Sequence, residues 1–535
     1  MAAFDKKMPQ NQRRAYFHVA LNRETIAPVR QRNSSAGQLL SEPPADLRRS
    51  REEDDTSGIF HASRCAFSIC SNADLGSDRM RIARGVIIGA FALLSSPCVA
   101  ETMSGALSRA YVGNPDLNQQ RAYVRATDED LPRVSSQWRP SASASGQAGY
   151  NYLDSISGDA ALRQRESSIP RSVGLTVTQN LFNGGRTLNG VRQAESNIFG
   201  ARESLRNTEL NVLQNGATAY MNVLRDTAIV ELRKNNITVL EEQLRQTRDR
   251  FNVGEVTRTD VAQAQASLAN SRSDYFTAQA NLQNSVANFR QIIGIQPGRL
   301  EPARTIENLL PRSLDSAVVV GLSEHPAIQA ALHAVDAAAL QVKVVEGELY
   351  PTVGITANVQ QNWAYAGFAK QQLFNTSLIG QITVPIYTGG EVDARARQAK
   401  ETLGQARLQA DLQRDFIRAS VVSAWGVLDS ARAVIQSSRA AVKAAEIALE
   451  GIREEAKVGQ RTTFDVLFAQ QTLLNTRVSL VTAQRDRVVA SYAVMAAIGR
   501  LSAANLSLNV AQYDPTIHFD QVKDKWIGLR TPDGR

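Results

Sequence analysis

Apolar side chains at Val191, Ala194, Ile198, Ala201 and Leu205 recur three or four residues apart, the stripe of a helix that lies along another helix. The stripe resumes at Leu210, Leu213, Ala217, Tyr220 and Leu224, and again at Ile237, Leu240 and Leu244, with a shift of register between blocks. No proline occurs between Pro170 and Pro297. One rod of about 64 residues is therefore expected, ~95 Å long at about 1.5 Å per residue. A single globular core cannot enclose such a rod, so coiled-coil packing against similar helices is predicted. A second rod substitutes many alanines, among them Ala394, Ala396, Ala399, Ala406 and Ala410, which permit close helix approach. Shorter helices are expected over roughly 103–136 and 316–348.

A second pattern has period two. Val173, Leu175 and Val177 alternate with Gly174, Thr176 and Thr178, and Val353, Ile355, Ala357 and Val359 alternate with Thr352, Gly354, Thr356 and Asn358. Leu378, Ile382, Val384 and Ile386 share one face of a further run, with Gly380 among them. Each run has about ten residues, the length of a tilted membrane-spanning strand; a half-buried soluble strand alternates in the same way. Four such strands are expected per chain. A closed barrel needs about eight or more, and lipid tolerates no open sheet edge. If the strands span a membrane, the barrel must be shared between subunits, with eight strands from two copies or twelve from three.

The two patterns occur twice, which marks a tandem duplication. Leu181-Phe182-Asn183-Gly184-Gly185 matches Ile386-Tyr387-Thr388-Gly389-Gly390 at an offset of 205 residues. The same offset relates Val253-Gly254-Glu255-Val256-Thr257-Arg258-Thr259-Asp260-Val261 to Val458-Gly459-Gln460-Arg461-Thr462-Thr463-Phe464-Asp465-Val466, and Ile293-Gly294 to Ile498-Gly499. Gly254 and Gly459 end the rods. Thr257-x-x-Asp260 and Thr462-x-x-Asp465 are capping boxes by type, with Asp in place of Glu, and start return helices. Two long helical hairpins result, with tips at Val253-Gly254 and Val458-Gly459. The expected organisation is a first repeat over 101–300, a second over 301–505, and a partly unstructured tail over 506–535.

Residues 80–100 have the form of a secretory signal peptide: a basic start at Met80-Arg81-Ile82-Ala83-Arg84, an apolar run from Val86 to Leu94, and small residues ahead of a cleavage point after Ala100. That run is far shorter than the ~20 residues a spanning helix needs. Residues 1–79 are polar and irregular and are expected to be a non-native or disordered extension, with translation starting at Met80.

Charge narrows the function. The formal net charge is +8, and residues 1–100 supply half of it, with 14 basic and 10 acidic side chains. The remainder is nearly neutral for its size and carries no basic stripe for nucleic acid. All three cysteines, Cys65, Cys70 and Cys98, lie in the leader, which excludes a disulfide framework or a cysteine nucleophile beyond it. His325 and His333 lack the carboxylates or thiolates that would complete a metal site. No phosphate loop or nucleophile elbow is present, so neither enzyme activity, metal nor cofactor is expected.

A duplicated helix–strand–strand–long-hairpin chain with a signal peptide, Gly-Gly strand ends and two Val-Gly-x-x-Thr-x-x-Asp-Val tips resembles the TolC family over roughly 101–510. The resemblance implies an α+β outer-membrane protein: a homotrimer with a twelve-stranded transmembrane β-barrel continued by a coiled-coil periplasmic tunnel. It implies an exit duct for a tripartite efflux pump or a type I secretion system. Its partners would be a periplasmic adaptor protein and an inner-membrane ABC or proton-driven transporter. Strand–helix junctions would sit at Gly184-Gly185 and Gly389-Gly390, outward-facing loops around 153–170 and 364–375, and adaptor contacts at Val253, Gly254, Val458 and Gly459. Thr259, Asp260, Arg461 and Asp465 match the family's periplasmic gate. Two positions depart from it: Ala456 replaces the gate tyrosine and Phe468 the second acidic position, which implies a looser latch and a single acidic ring. The alternative is a secreted coiled-coil spacer without a pore, which has no use for paired strands in duplicated positions.

Overall fold

The computed structural model describes residues 101–156, 163–364 and 370–534. The leader expected over 1–79 and 80–100 lies outside the described residues.

Helices α1 (Met103–Gly113), α2 (Pro115–Asp128) and α3 (Asp130–Ser135) lead into strands β1 (Ser141–Ala148), β2 (Asn151–Ile156), β3 (Arg163–Ser168) and β4 (Arg171–Asn183). The first hairpin is α4 (Arg186–Asn252) and α5 (Arg258–Ile293). The second half repeats the plan with α6 (Leu314–Glu324), α7 (Pro326–Glu346), β5 (Thr352–Trp363), β6 (Gln372–Thr383), α8 (Glu391–Lys457) and α9 (Thr463–Ala497). A closing helix, α10 (Pro515–Val522), follows.

Both rods, α4 and α8, run for 67 residues, or ~100 Å. On α4 the predicted stripe is the buried one: Ala194, Ile198, Leu205, Leu213, Tyr220 and Leu240 are all buried. The short helices are not single elements. Each breaks at a proline, Pro115 or Pro326, which lacks the amide hydrogen an inner turn requires. Both prolines occupy the first helical turn behind a side-chain cap, Asn114 accepting from Asp116 N (2.9 Å) and His325 Nδ1 accepting from Ala327 N (3.1 Å). That position needs no internal donor. The span 314–349 is apolar enough on average to cross a bilayer, but Pro326 divides it, and α7 packs against α4 and α8.

A four-stranded antiparallel sheet has the order β1-β4-β5-β6. Its register separates two faces. Ala142, Val177, Ala357 and Leu378 align across one; Ser143, Thr176, Asn358 and Ser377 align across the other. β2 and β3 form a separate antiparallel hairpin, so much of 153–170 is strand rather than loop. β6 already begins at Gln372, and residues 365–369 of the other expected loop lie outside the described residues. β6 also stops at Thr383, leaving Val384 and Ile386 outside the strand. Pro385 is the cause: it donates no ladder hydrogen bond and restricts Val384.

At the first junction the strand turns into α4 through Gly184 and Gly185, with φ of 70° and 75°. A Cβ on Gly184 would lie 2.0 Å from the Gly347 carbonyl oxygen, so the junction closes onto the turn after α7 only with glycine there. Below it, the main core joins α1, α2 and α4 to α9 in a belt around Leu107, Leu213, Tyr220, Phe289, Val421 and Ile498. Tyr220 Oη donates to the carbonyls of Glu101 and Glu301, both at 2.7 Å. Burial pushes its phenol up to about 12, so the tie persists through the physiological range.

The tail contradicts the expectation of partial disorder. It forms α10 and packs against α2.

Candidate functional site

Two regions carry the chemistry: the hairpin tips and the sheet. At the first tip, Gly254 takes φ +83° and Glu255 N donates to Arg250 O (2.9 Å). Thr257 caps α5. Its Oγ1 accepts from Asp260 N (3.3 Å), while Asp260 Oδ2 accepts from Thr257 N (2.9 Å) and Thr257 Oγ1 (2.7 Å). The second tip repeats this geometry. Gly459 has φ +79°, and Asp465 Oδ2 accepts from Thr462 N (2.9 Å) and Thr462 Oγ1 (2.8 Å). Both capping boxes are complete. The Thr257 hydroxyl and amide hold the Asp260 carboxyl below the usual carboxylate range. The Thr462 amide and hydroxyl do the same for Asp465. Hydrogen bonds to the charged form, not burial, cause both shifts.

The tips differ in their ion pairs. Arg250, in the last turn of α4, donates to Glu255 in the loop (2.9 Å); Glu455, in the last turn of α8, accepts from Arg461 in the loop (2.8 Å). The polarity of helix and loop is reversed. The structure thus joins Asp260 to Thr257, Asp465 to Thr462 and Arg461 to Glu455, each within its own tip. Thr259, Val253 and Val458 point into solvent. Phe464 and Phe468 stack at 6.3 Å and are exposed, where the duplicated positions in the first repeat are Thr259 and Gln263.

Just above the tips the two hairpins are tied by buried polar groups that the apolar pattern hid. Gln470 Nε2 on α9 donates to Asn236 Oδ1 on α4 (3.4 Å), and Asn236 Nδ2 donates to Ser271 Oγ on α5 (2.9 Å). A buried amide within a heptad stripe fixes register, and Asn236, breaking the run ahead of Ile237, was its only sequence signal.

The sheet inverts the soluble rule. Its apolar face is open rather than buried: Leu378 is 76% exposed, Ile382 69% and Val173 58%. Aromatic side chains bracket this band, with Trp138, Tyr350 and Tyr387 exposed near the helical end and Tyr150 and Phe374 near the other. An outward apolar band of strand length between aromatic girdles is the signature of an outer-membrane barrel wall. The model of the outer membrane efflux protein family matches residues 106–295 and 320–500.

The chain belongs to that family.

Among its relatives, the outer membrane efflux protein BepC of Brucella suis is 43% identical over 455 residues, covering 85% of this chain and 97% of BepC. The outer membrane protein TolC of Escherichia coli K12 is 26% identical over 451 residues, covering 81% and 88%. The Campylobacter jejuni CmeC outer membrane channel has the same fold, with a TM-score of 0.66 and 17% identity over 79% of this chain and 89% of CmeC. In an outer membrane efflux protein the exposed apolar sheet face is the lipid-facing surface, and the long helical hairpins are the periplasmic part.

Proposed function

We propose that three copies of the chain close a twelve-stranded barrel whose polar interior opens into a tunnel of packed α4–α5 and α8–α9 hairpins. This assembly is the outer-membrane exit duct of a tripartite efflux pump or type I secretion system. It carries substrate from an inner-membrane ABC or proton-driven transporter across the periplasm and outer membrane. The observation that carries the reading is the sheet itself. It has one apolar face open, one polar face, and free backbone edges on β1 and β6. Such a sheet is tolerated in lipid only once its edges are paired. Four strands per copy preserve antiparallel pairing when β6 of one copy meets β1 of the next, and the family resemblance supports three copies over two.

The tips then meet around the periplasmic entrance. Thr259, Asp260, Arg461 and Asp465 form the constriction there, and Val253, Gly254, Val458 and Gly459 present the hairpin ends to a periplasmic adaptor. Asp465 carboxylates repeated around a narrow pore attract cations. Single-channel recording of the purified protein in planar bilayers tests this. Small discrete openings that grow in Asp260→Ala and lose cation preference in Asp465→Ala are expected. A folded oligomer that never conducts, in any variant, would contradict the duct.

A further inference from the structure

The family match ends at residue 500, yet the described structure continues to residue 534. We propose that residues 509–534 are a strap that fastens the root of β1 to the helix belt and so presents this edge strand for pairing with β6 of a neighbouring copy. The inference rests on the shared-barrel reading given above and adds the element that makes the edge competent to pair.

Three anchors, with an ion pair between Arg125 Nε and Asp533 Oδ2 (3.8 Å) near the end, hold the strap. At the first, Tyr513 N donates to Tyr111 Oη (3.1 Å), and the Arg121 guanidinium lies over both rings, 4.6 Å from that of Tyr111 and 5.4 Å from that of Tyr513. At the second, α10 buries Val522 completely, and His518 Nδ1 sits 3.0 Å from Oδ2 of Asp128, a carboxylate with no exposed surface. Arg202 of α4 covers the Phe519 ring at 5.1 Å. At the third, Arg139 Nη1 donates to the Lys525 carbonyl (2.7 Å), and the same guanidinium lies 4.6 Å from the Trp526 ring.

The third anchor gives the strap its role. Arg139 stands two residues before Ser141, the first residue of β1. β1 pairs with β4 alone and is exposed along its whole length. Within one copy its strand residues are held by β4, and its root by Gln179 Nε2 donating to the Trp138 carbonyl (2.6 Å), by Thr187 Oγ1 donating to Gln137 Oε1 (3.1 Å) and by the Arg139 contact. An edge strand loose at its root samples several registers, and a shift of one residue exchanges its Ala and Ser faces. Fixing Arg139 from the belt side removes that freedom before a second copy arrives.

The test uses the full chain. Arg139→Ala, Trp526→Ala, the double variant and a chain ending at Gln512 are compared for the fraction that survives as an oligomer in mild detergent at raised temperature, with helicity followed by circular dichroism. Trp526→Phe, which keeps a ring under the guanidinium, is included. The truncation and the double variant are expected to lose heat-resistant oligomer several-fold with helicity retained. Arg139→Ala should lose about as much as the double, because it breaks both contacts of the third anchor; Trp526→Ala should lose less, because the bond to the Lys525 carbonyl remains, and Trp526→Phe should largely restore assembly. Wild-type levels of oligomer in the point variants would overturn the strap while leaving the shared barrel intact. A wild-type chain that never forms an oligomer would overturn both.

Discussion

Helices α4 and α8 are copies of one element with different surroundings. Each has 67 residues, starts at a left-handed glycine and ends at a capped tip. Among the described residues α4 is covered by α1, α2, α3, α5, α7 and α9, whereas α8 packs mainly against α6, α7 and α9. The uncovered flank of α8 displays Leu408, Leu412 and Phe416 at 67, 63 and 66% exposure. The duplicated positions on α4 are Glu203, Asn207 and Asn211. After duplication, one rod became the interior of the chain and the other became its apolar border. In the proposed assembly a border on one side only would meet a different surface of the next copy, a head-to-tail contact that closes into a ring when the rotation between copies closes. The free edges of β1 and β6 require the same arrangement, reached independently from the other end of the molecule.

Charging the border is the strongest way to break this asymmetry. Leu412→Arg with Phe416→Arg is expected to abolish assembly while helicity persists. Asn207→Arg with Asn211→Arg at the matching positions of α4 should cost far less. Native mass spectrometry in detergent separates the outcomes, and equal loss from both pairs would contradict a one-sided border. A smaller effect is expected inside the belt. Tyr220→Phe removes the donor shared by the Glu101 and Glu301 carbonyls and should destabilise the chain by about 1–3 kcal/mol, read from thermal unfolding. The smallest effects belong to the tips. Thr257→Ala should loosen the first tip by ~1 kcal/mol, and Thr462→Ala should act similarly because the cap geometry is the same. Hydrogen exchange at the start of α5 and α9 reports this without a change in global stability. The carboxyls of Asp260 and Asp465 are held low. Their caps are therefore fully present above the ordinary carboxylate range near pH 4 and are lost as pH falls through the lowered values. Asp260→Asn should remove that acid dependence at the first tip only.

The rods, the tips and the strand–helix turns were legible because each is written in local chemistry. Three-and-four spacing drew α4, Gly254 and Gly459 ended the rods, and Thr257-x-x-Asp260 spelled its own cap. β4, β5 and β6 were legible in their alternation, whereas β1, whose alternation sets Ala against Ser, and the β2–β3 hairpin, expected as a loop, were not. Which face meets lipid became visible only when the register brought Ala142, Val177, Ala357 and Leu378 together. What escaped detection depends on distant residues. Pro115 and Pro326 were present to be read as breaks, but helical periodicity on either side concealed them. The Asn236–Gln470 tie spans the two repeats, and the strap joins Tyr513, His518 and Trp526 to partners near the start of the chain. No repeat or periodicity announces such contacts. The gate residues were placed by resemblance alone, and within one chain each stays in its own tip.

The most direct measurement is a cysteine cross-link across the open sheet edges. Because every cysteine lies in the leader, Ala144→Cys can be combined in turn with Leu378→Cys, Ile379→Cys and Gly380→Cys, and the membranes oxidised. A barrel shared by three copies predicts a ladder of covalent dimer and trimer, stopping at three, for at least one pair. Chains that remain monomeric with every pair, or a ladder that stops at two, would contradict it.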